Sequence, residues 1–504
     1  MFKHRLLKTL LFTVLTLSVT SCKKYLELSP QDGVTRDKFW KTKEQLQAAV
    51  IGCYNSMLIP FGAVPNNRPA PAESFFIWGE IRGDMVMPGI GATPDELNVI
   101  NANILPSNTV ADWRNIYRVI NLCNTVLDFG PGVRDVDNTL TQEQLNAYLG
   151  EALTLRSLMY FYLVRSFGDA PLKLKSTSSD NELVQLAKTP QADLLKQIVA
   201  DLKLAESYAT ASYGDNASNK GRITKFTVNA LQADVYLWMD NYADCIAACD
   251  KIIGSGRYGL VAGNNANAWF NALFVTGNSN EGIFELQYDP QLLNPFYSMF
   301  GVVNKRYMAN PIVIDEFFTV DPIDDNNKDI RGIDAAVRTS DQTIYKYVGI
   351  NSTTVRSPDV SYAHWIVYRY ADVLLMKAEA CANSGRGTET LNIINTIRTR
   401  ANALPASAQT PGPENVSGLT DYVLAERARE LAYEGKRWYD LLRNAKRNNF
   451  ARLDILNSAA VRVVPSAVQQ SALNKLKDPN SLYFPIYQYE IQTDPNLIQN
   501  PFYK

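Results

Sequence analysis

The strongest constraint on the fold lies between Tyr368 and Arg443, where apolar residues return with helical periodicity in consecutive segments. From Ala371 to Ala382, Val373, Leu374, Met376, Ala378 and Cys381 make the stripe of an amphipathic helix. Asn383-Ser384-Gly385 stops it, because glycine takes the left-handed conformation that a helix C-terminus favours. Leu391, Ile394, Ile397 and Ala401 then start a second helix. Helices joined by so short a turn fold back on each other, and a chain that repeats such hairpins grows by stacking them.

A third segment, Asp421 to Arg443, reads as one helix with Glu426, Glu430 and Glu434 at spacings of four. Three carboxylates on one face repel unless cations sit among them. Arg427, Arg429, Lys436, Arg437 and Arg443 are close in sequence. The pattern therefore predicts an ion-pair lattice between helices in preference to a carboxylate acid/base site.

Upstream, helices are expected near 44–57, 109–129, 141–167, 191–208, 226–239 and 242–253. Thr141 with Gln144 is a capping-box pattern, and Gly168 and Pro171 end that helix. Ala230 to Cys249 has the small/large alternation of a tetratricopeptide repeat, without a strict 34-residue register. From residue 255 the rhythm breaks into a stretch rich in Gly, Asn, Asp and aromatics, and long irregular stretches in helical chains are usually functional. The predicted fold is mainly α, a tetratricopeptide-like superhelix of helical hairpins with an irregular loop-rich insert. Its parts are a leader (1–21), an N-terminal helical part (22–254), a ligand-facing insert (255–365) and a C-terminal helical part (366–504).

Several long motifs carry a family resemblance. Tyr368-Arg369-Tyr370-Ala371-Asp372-Val373-Leu374-Leu375, Glu426-Arg427 with Glu430-Leu431, and Glu434-Gly435-Lys436-Arg437-Trp438-Tyr439-Asp440-Leu441 resemble the C-terminal signature of the SusD/RagB family. Gly150 to Leu172 and the closing stretch from Phe484 to Pro501 are similar to further family segments. The resemblance implies a non-catalytic surface lipoprotein that captures an oligosaccharide, or a peptide in some branches. It would pass this nutrient to a SusC-like TonB-dependent barrel. It also places Ser74 to Asp84 close to the ligand. The rival readings are a surface glycoside hydrolase and a structural helical-repeat scaffold of an outer-membrane complex.

The leader fits export. Lys3, Arg5 and Lys8 precede the apolar run Leu10 to Leu17, which is too short to span a bilayer. Val19-Thr20-Ser21-Cys22 matches a lipobox, which predicts acylation at Cys22 and anchoring in the outer membrane. Lys23 and Lys24 follow where many relatives have acidic residues, so outward orientation comes from the family and not from this leader. The other five cysteines form no disulfide framework; Cys245 and Cys249 read as buried apolar residues.

Several chemistries are excluded. The whole chain has a net charge of −1, and residues 1–21 hold three bases and no acid, so nothing attracts nucleic acid. Beyond the leader His364 is the one histidine, which argues against a Ser-His-Asp triad and multi-histidine metal sites. The acidic stretch Asp321 to Asp329 lacks the Gly and Glu of a calcium loop, and no cofactor is expected. Aromatic surface remains. Rings stack on sugars while nearby polar groups fix orientation, so the expected ligand residues are Trp269, Tyr297, Tyr307 and Trp365 with Glu80, Arg82 and Asp84. Met85 to Ser107 has no aromatic residue to add to such a platform.

Anchoring by acyl chains gives a direct test. A Cys22→Ala protein should fold but leave the membrane fraction, because each buried methylene contributes about 0.8 kcal/mol and the fold none of it. Fractionation of cells lacking the partner barrel checks this; a variant that still sediments with membrane refutes it.

Overall fold

In the computed structural model, residues 36–504 are described except 63–67, 319–322, 325–326, 352 and 404–409. The leader and Cys22 lie outside the described residues, as does part of the 321–329 stretch. The expected hairpins are present. Helix α1 (Lys43–Leu58) starts at a Thr42 capping box and is followed by α2 (Pro71–Glu80), α3 (Pro94–Ile100) and α4 (Arg114–Val133). Next come α5 (Gln142–Phe167), with the Thr141/Gln144 box formed, then α6 (Gln191–Tyr208), α7 (Lys225–Trp238) and α8 (Tyr242–Ile253). The C-terminal part continues with α9 (Tyr370–Ala382), α10 (Gly387–Arg400), α11 (Val416–Glu430) and α12 (Arg437–Phe450). Sequential neighbours pack together: α4 on α5, α5 on α6, α7 on α8 and α9 on α10. Helix α8 also packs on α9, which joins the two helical parts across the insert. No helix among the described residues is long and apolar enough to cross a membrane.

Two short antiparallel ladders fasten the insert. Strand β1 (Val86–Pro88) pairs with β3 (Tyr307–Ala309), and β2 (Gly282–Leu286) pairs with β4 (Trp365–Arg369). The first ladder ties the loop after α2 to the insert; the second closes the insert against the start of α9. Cys245 and Cys249 are fully buried on α8, as free thiols.

One expectation changes. Asp421 to Arg443 is not one helix: α11 ends at Glu430, and a turn at 431–436 precedes α12. Tyr433 and Gly435 have positive φ there, of 63° and 70°. The turn meets α2 closely: a Cβ on Gly79 would lie 1.8 Å from the Gly435 carbonyl oxygen, so only glycine fits at position 79. Below it, Asp84 accepts two hydrogen bonds from Arg437, at 2.7 and 2.9 Å, and pairs with Arg462 at 3.1 Å. Glu80 is buried beside the Arg437 backbone, with Oε1 unpartnered. Burial raises its carboxyl to about 8 despite Arg437.

The ion lattice forms, but most of its cations come from other elements. Arg331 pairs with Glu426 at 2.7 Å and Glu430 at 2.8 Å. Arg369 pairs with Glu281 and Glu430, each at 2.6 Å, and with Glu434 at 2.9 Å. Lys346 pairs with Glu434 at 2.7 Å, and Arg400 joins Glu281 and Glu430. Of the neighbouring cations in sequence, only Arg429 reaches this acidic row, pairing with Glu426 at 3.0 Å. Arg427 and Lys436 instead hold Asp372, Arg443 holds Glu379, and Arg437 holds Asp84.

Removing one member strands buried partners. Glu430→Ala should cost about 3–5 kcal/mol, measured by chemical denaturation. Burial pushes the Glu426, Glu430 and Glu434 carboxyls up, but the surrounding arginines outweigh it and hold all three below the ordinary range. Lys436 and Arg427 likewise hold Asp372 at about 2 against its burial. Depressed folded values mean stability that is present above the unfolded carboxylate pKa of about 4 and lost as pH falls from there toward the folded values. Glu80 has the opposite sign. Its contribution is full below about 4.5 and lost as pH rises to about 8. Glu80→Gln should therefore gain melting temperature over the unsubstituted protein increasingly from pH 5 to 8. A constant difference across that range would refute the assignment.

Candidate functional site

The structure sends most of the expected ligand residues into the interior. Trp269, Tyr307 and Trp365 are at most 1% exposed. Trp269 meets Phe274 edge-on at 5.7 Å, and Trp365 stacks on Tyr347 at 5.1 Å with Phe296 alongside. These rings satisfy one another, so their faces are closed to a ligand. Tyr297 is half-buried in a π-helical turn, its ring against Gly301. Arg82 donates to the Leu482 and Ser481 carbonyl oxygens at 2.7 and 2.9 Å, over the Trp438 ring. Glu80 and Asp84 hold the turn before α12, as described. The motif from Ser74 to Asp84 is thus largely framework.

An open cleft lies on the other side of the same helix. It has a volume of about 760 Å³, within the range of ligand pockets. Ser74, Ile77 and Trp78 of α2 form its floor, with the Trp78 indole N–H donating to the Val110 carbonyl oxygen at 2.8 Å. Arg306 makes one wall, paired with Glu73 and, through Nε at 2.9 Å, with Glu96. Glu96 has two duties. Its Oε2 accepts from the Thr93 backbone in the capping box of α3, while Oε1 accepts from Arg306 and, at 2.6 Å, from the Tyr307 hydroxyl. Burial raises this carboxyl, but the Arg306 hydrogen bond prevails and holds it below the ordinary range. Tyr307 therefore supports the cleft from behind without facing it.

The opposite wall belongs to the start of α4. Asp112 accepts from Arg68 Nε at 3.1 Å and Arg114 Nε at 2.8 Å. Arg114 also approaches Glu490 at 3.3 Å, without hydrogen-bond geometry. Burial, with Asp112 nearby, raises the Glu490 carboxyl against the pull of Arg114. At the mouth stand Tyr487 and Tyr489; the Arg114 guanidinium lies 4.4 Å from the Tyr489 ring centre, and Tyr489 is 48% exposed. The Gln488 backbone N–H donates to the Pro106 carbonyl oxygen at 2.7 Å, which fixes this rim. The site thus offers fixed donors and acceptors with one open ring.

Sequence reading did not find these residues. Arg68, Asp112, Arg114, Arg306 and Glu490 are dispersed over more than four hundred positions, and of these only Glu490 lies in a stretch that carried the family resemblance, where nothing marked it as a site residue. The Tyr487-Gln488-Tyr489-Glu490 run, two aromatics and an acid ending a loop, was the available signal.

Comparison with known proteins places this architecture. A profile described as the SusD family matches residues 237–503, and one described as "Starch-binding associating with outer membrane" matches residues 24–237. "SusD-like protein P38" of Formosa agariphila is 27% identical over 478 residues, covering 85% of this chain and 89% of its own. A SusD superfamily structure from Bacteroides vulgatus superposes with a TM-score of 0.73 at 21% identity, over 92% of this chain and 100% of that one. The B. fragilis NanU structure gives 0.67 at 20% identity, over 95% and 100%. With its family profile matched over more than half the sequence, this chain belongs to the SusD family, whose members are in general nutrient-binding proteins of the outer membrane.

Proposed function

We propose that the protein is a non-catalytic, lipid-anchored capture protein that binds an oligosaccharide in the α2–α4 cleft and delivers it to a SusC-like TonB-dependent barrel. The observation that carries this reading is the cleft itself: a polar wall on each side, an apolar floor and the open Tyr489 ring at the mouth. Hydroxyl groups need donors and acceptors in fixed places, and a sugar ring needs an apolar face to stack on. The profile over residues 24–237, with its starch-binding, outer-membrane description, supports the same class of ligand. Acylation at Cys22 and the outward-facing leaflet belong to this proposal and rest on the leader sequence.

Calorimetric titration with oligosaccharides, with product analysis on the same samples, tests capture against hydrolysis. Tyr489→Ala should weaken binding by about tenfold, consistent with the roughly 0.5–1.5 kcal/mol of a ring contact, and leave melting nearly unchanged because the ring is exposed. Trp365→Ala should do the reverse, losing about 3–5 kcal/mol of stability through the cavity it leaves. Cleavage of the oligomer, or loss of binding in Trp365→Ala without a stability change, would refute this reading.

A further inference from the structure

The charge arrangement of the cleft bears on which oligosaccharide it takes, an inference that rests on the reading above. Three arginines line it, which at first suggests an acidic ligand. Each is already neutralised from within: Arg68 by Asp112 at 3.1 Å, Arg114 by Asp112 with Glu490 at 3.3 Å, and Arg306 by Glu73 and Glu96. No lysine is among the lining residues. Against the three guanidinium groups stand three lining carboxylates, Glu73, Glu96 and Asp112, with Glu490 beside Arg114 as a fourth, and Asp112 bridges two of the arginines.

A ligand carboxylate or sulfate would either displace one of these internal partners or take a spare guanidinium N–H beside the carboxylate already bound to that arginine. The displaced carboxylate could not leave, because Asp112 is tied by the Arg114 backbone N–H at 3.1 Å and Glu96 by the Thr93 backbone N–H at 2.8 Å. The incoming anion would in either case face a fixed like charge at close range, where repulsion is strongest. A neutral hydroxyl meets no such obstacle. It can donate to a free carboxylate lone pair or accept from a spare guanidinium N–H while the ion pair stays intact. We infer that the cleft selects neutral oligosaccharides over uronic or sulfated ones, with Asp112 and Glu490 as the residues that reject negative charge.

The test compares hexasaccharides of equal length on the full protein: malto-, cello-, xylo- and mannohexaose against hexagalacturonate and hexamannuronate, each at low and at physiological salt. The expected result is at least tenfold tighter binding of a neutral member than of either acidic one, with little salt dependence. Asp112→Asn frees Arg68 and Arg114, and Glu490→Gln frees Arg114 with less disturbance of the α4 start. Either variant should narrow that gap at least threefold and make the acidic binding fall with salt. Acidic hexamers that bind the unsubstituted protein as tightly as neutral ones, with salt-dependent affinity, would overturn the inference and leave oligosaccharide capture standing. Binding of neither class would remove the capture reading and this inference together.

Discussion

The Arg369 guanidinium, buried among Glu281, Glu430 and Glu434, is the interaction on which the rest depends. It stands at the end of β4, and its three partners come from the residue just before β2, the end of α11 and the turn that follows. Arg331, Lys346 and Arg400 extend the cluster into the insert and α10. Hydrophobic contacts would let these elements slide, because apolar burial is not directional. Bidentate charge pairs fix angle as well as distance. The insert, the second ladder and the C-terminal hairpins are thereby held in one arrangement, and α2 is seated on it through the Gly79–Gly435 approach.

Local periodicity made the hairpins legible. The helices at 191–208 and 242–253 fall where their apolar spacing puts them, and the Thr141/Gln144 box forms as its chemistry requires. The break after Glu430 was not legible, because Leu431, Ala432 and Tyr433 continue a helical pattern. What ends the helix is tertiary: the 431–436 turn must meet α2 and deliver Glu434 to Arg369 and Lys346. The lattice was read correctly in kind, but its partners lie 30 to 99 residues away for Glu430, beyond any spacing rule.

The site was the least legible part, for a physical reason. Aromatic residues in an irregular segment have two ways to lower their free energy, on a ligand or on one another, and composition does not separate them. Residues 255–365 cannot bury a helical stripe, so the segment builds its own core from rings: Trp269, Phe274, Tyr347, Phe296 and Trp365 pack in sequence. The insert therefore supplies the cleft with Arg306 and the supporting Tyr307, while its large rings keep it rigid. Exposure, which decides who meets a ligand, is set by tertiary packing and not by local composition.

The wall chemistry also sets how tightly a ligand can be held. Every cleft arginine is satisfied before a ligand arrives, so binding gains only from lone pairs and N–H groups left over, together with ring contact at Tyr489. Because these groups are already ordered by their own pairs, little conformational entropy is lost on binding, yet little enthalpy is stored for it. On the capture reading proposed above, the site is preformed and weak, and the expected affinity is about −8 to −4 kcal/mol. Handing cargo to a transporter, as proposed, would need that combination: rigid walls for recognition, and no unpaired buried charge that would make release costly.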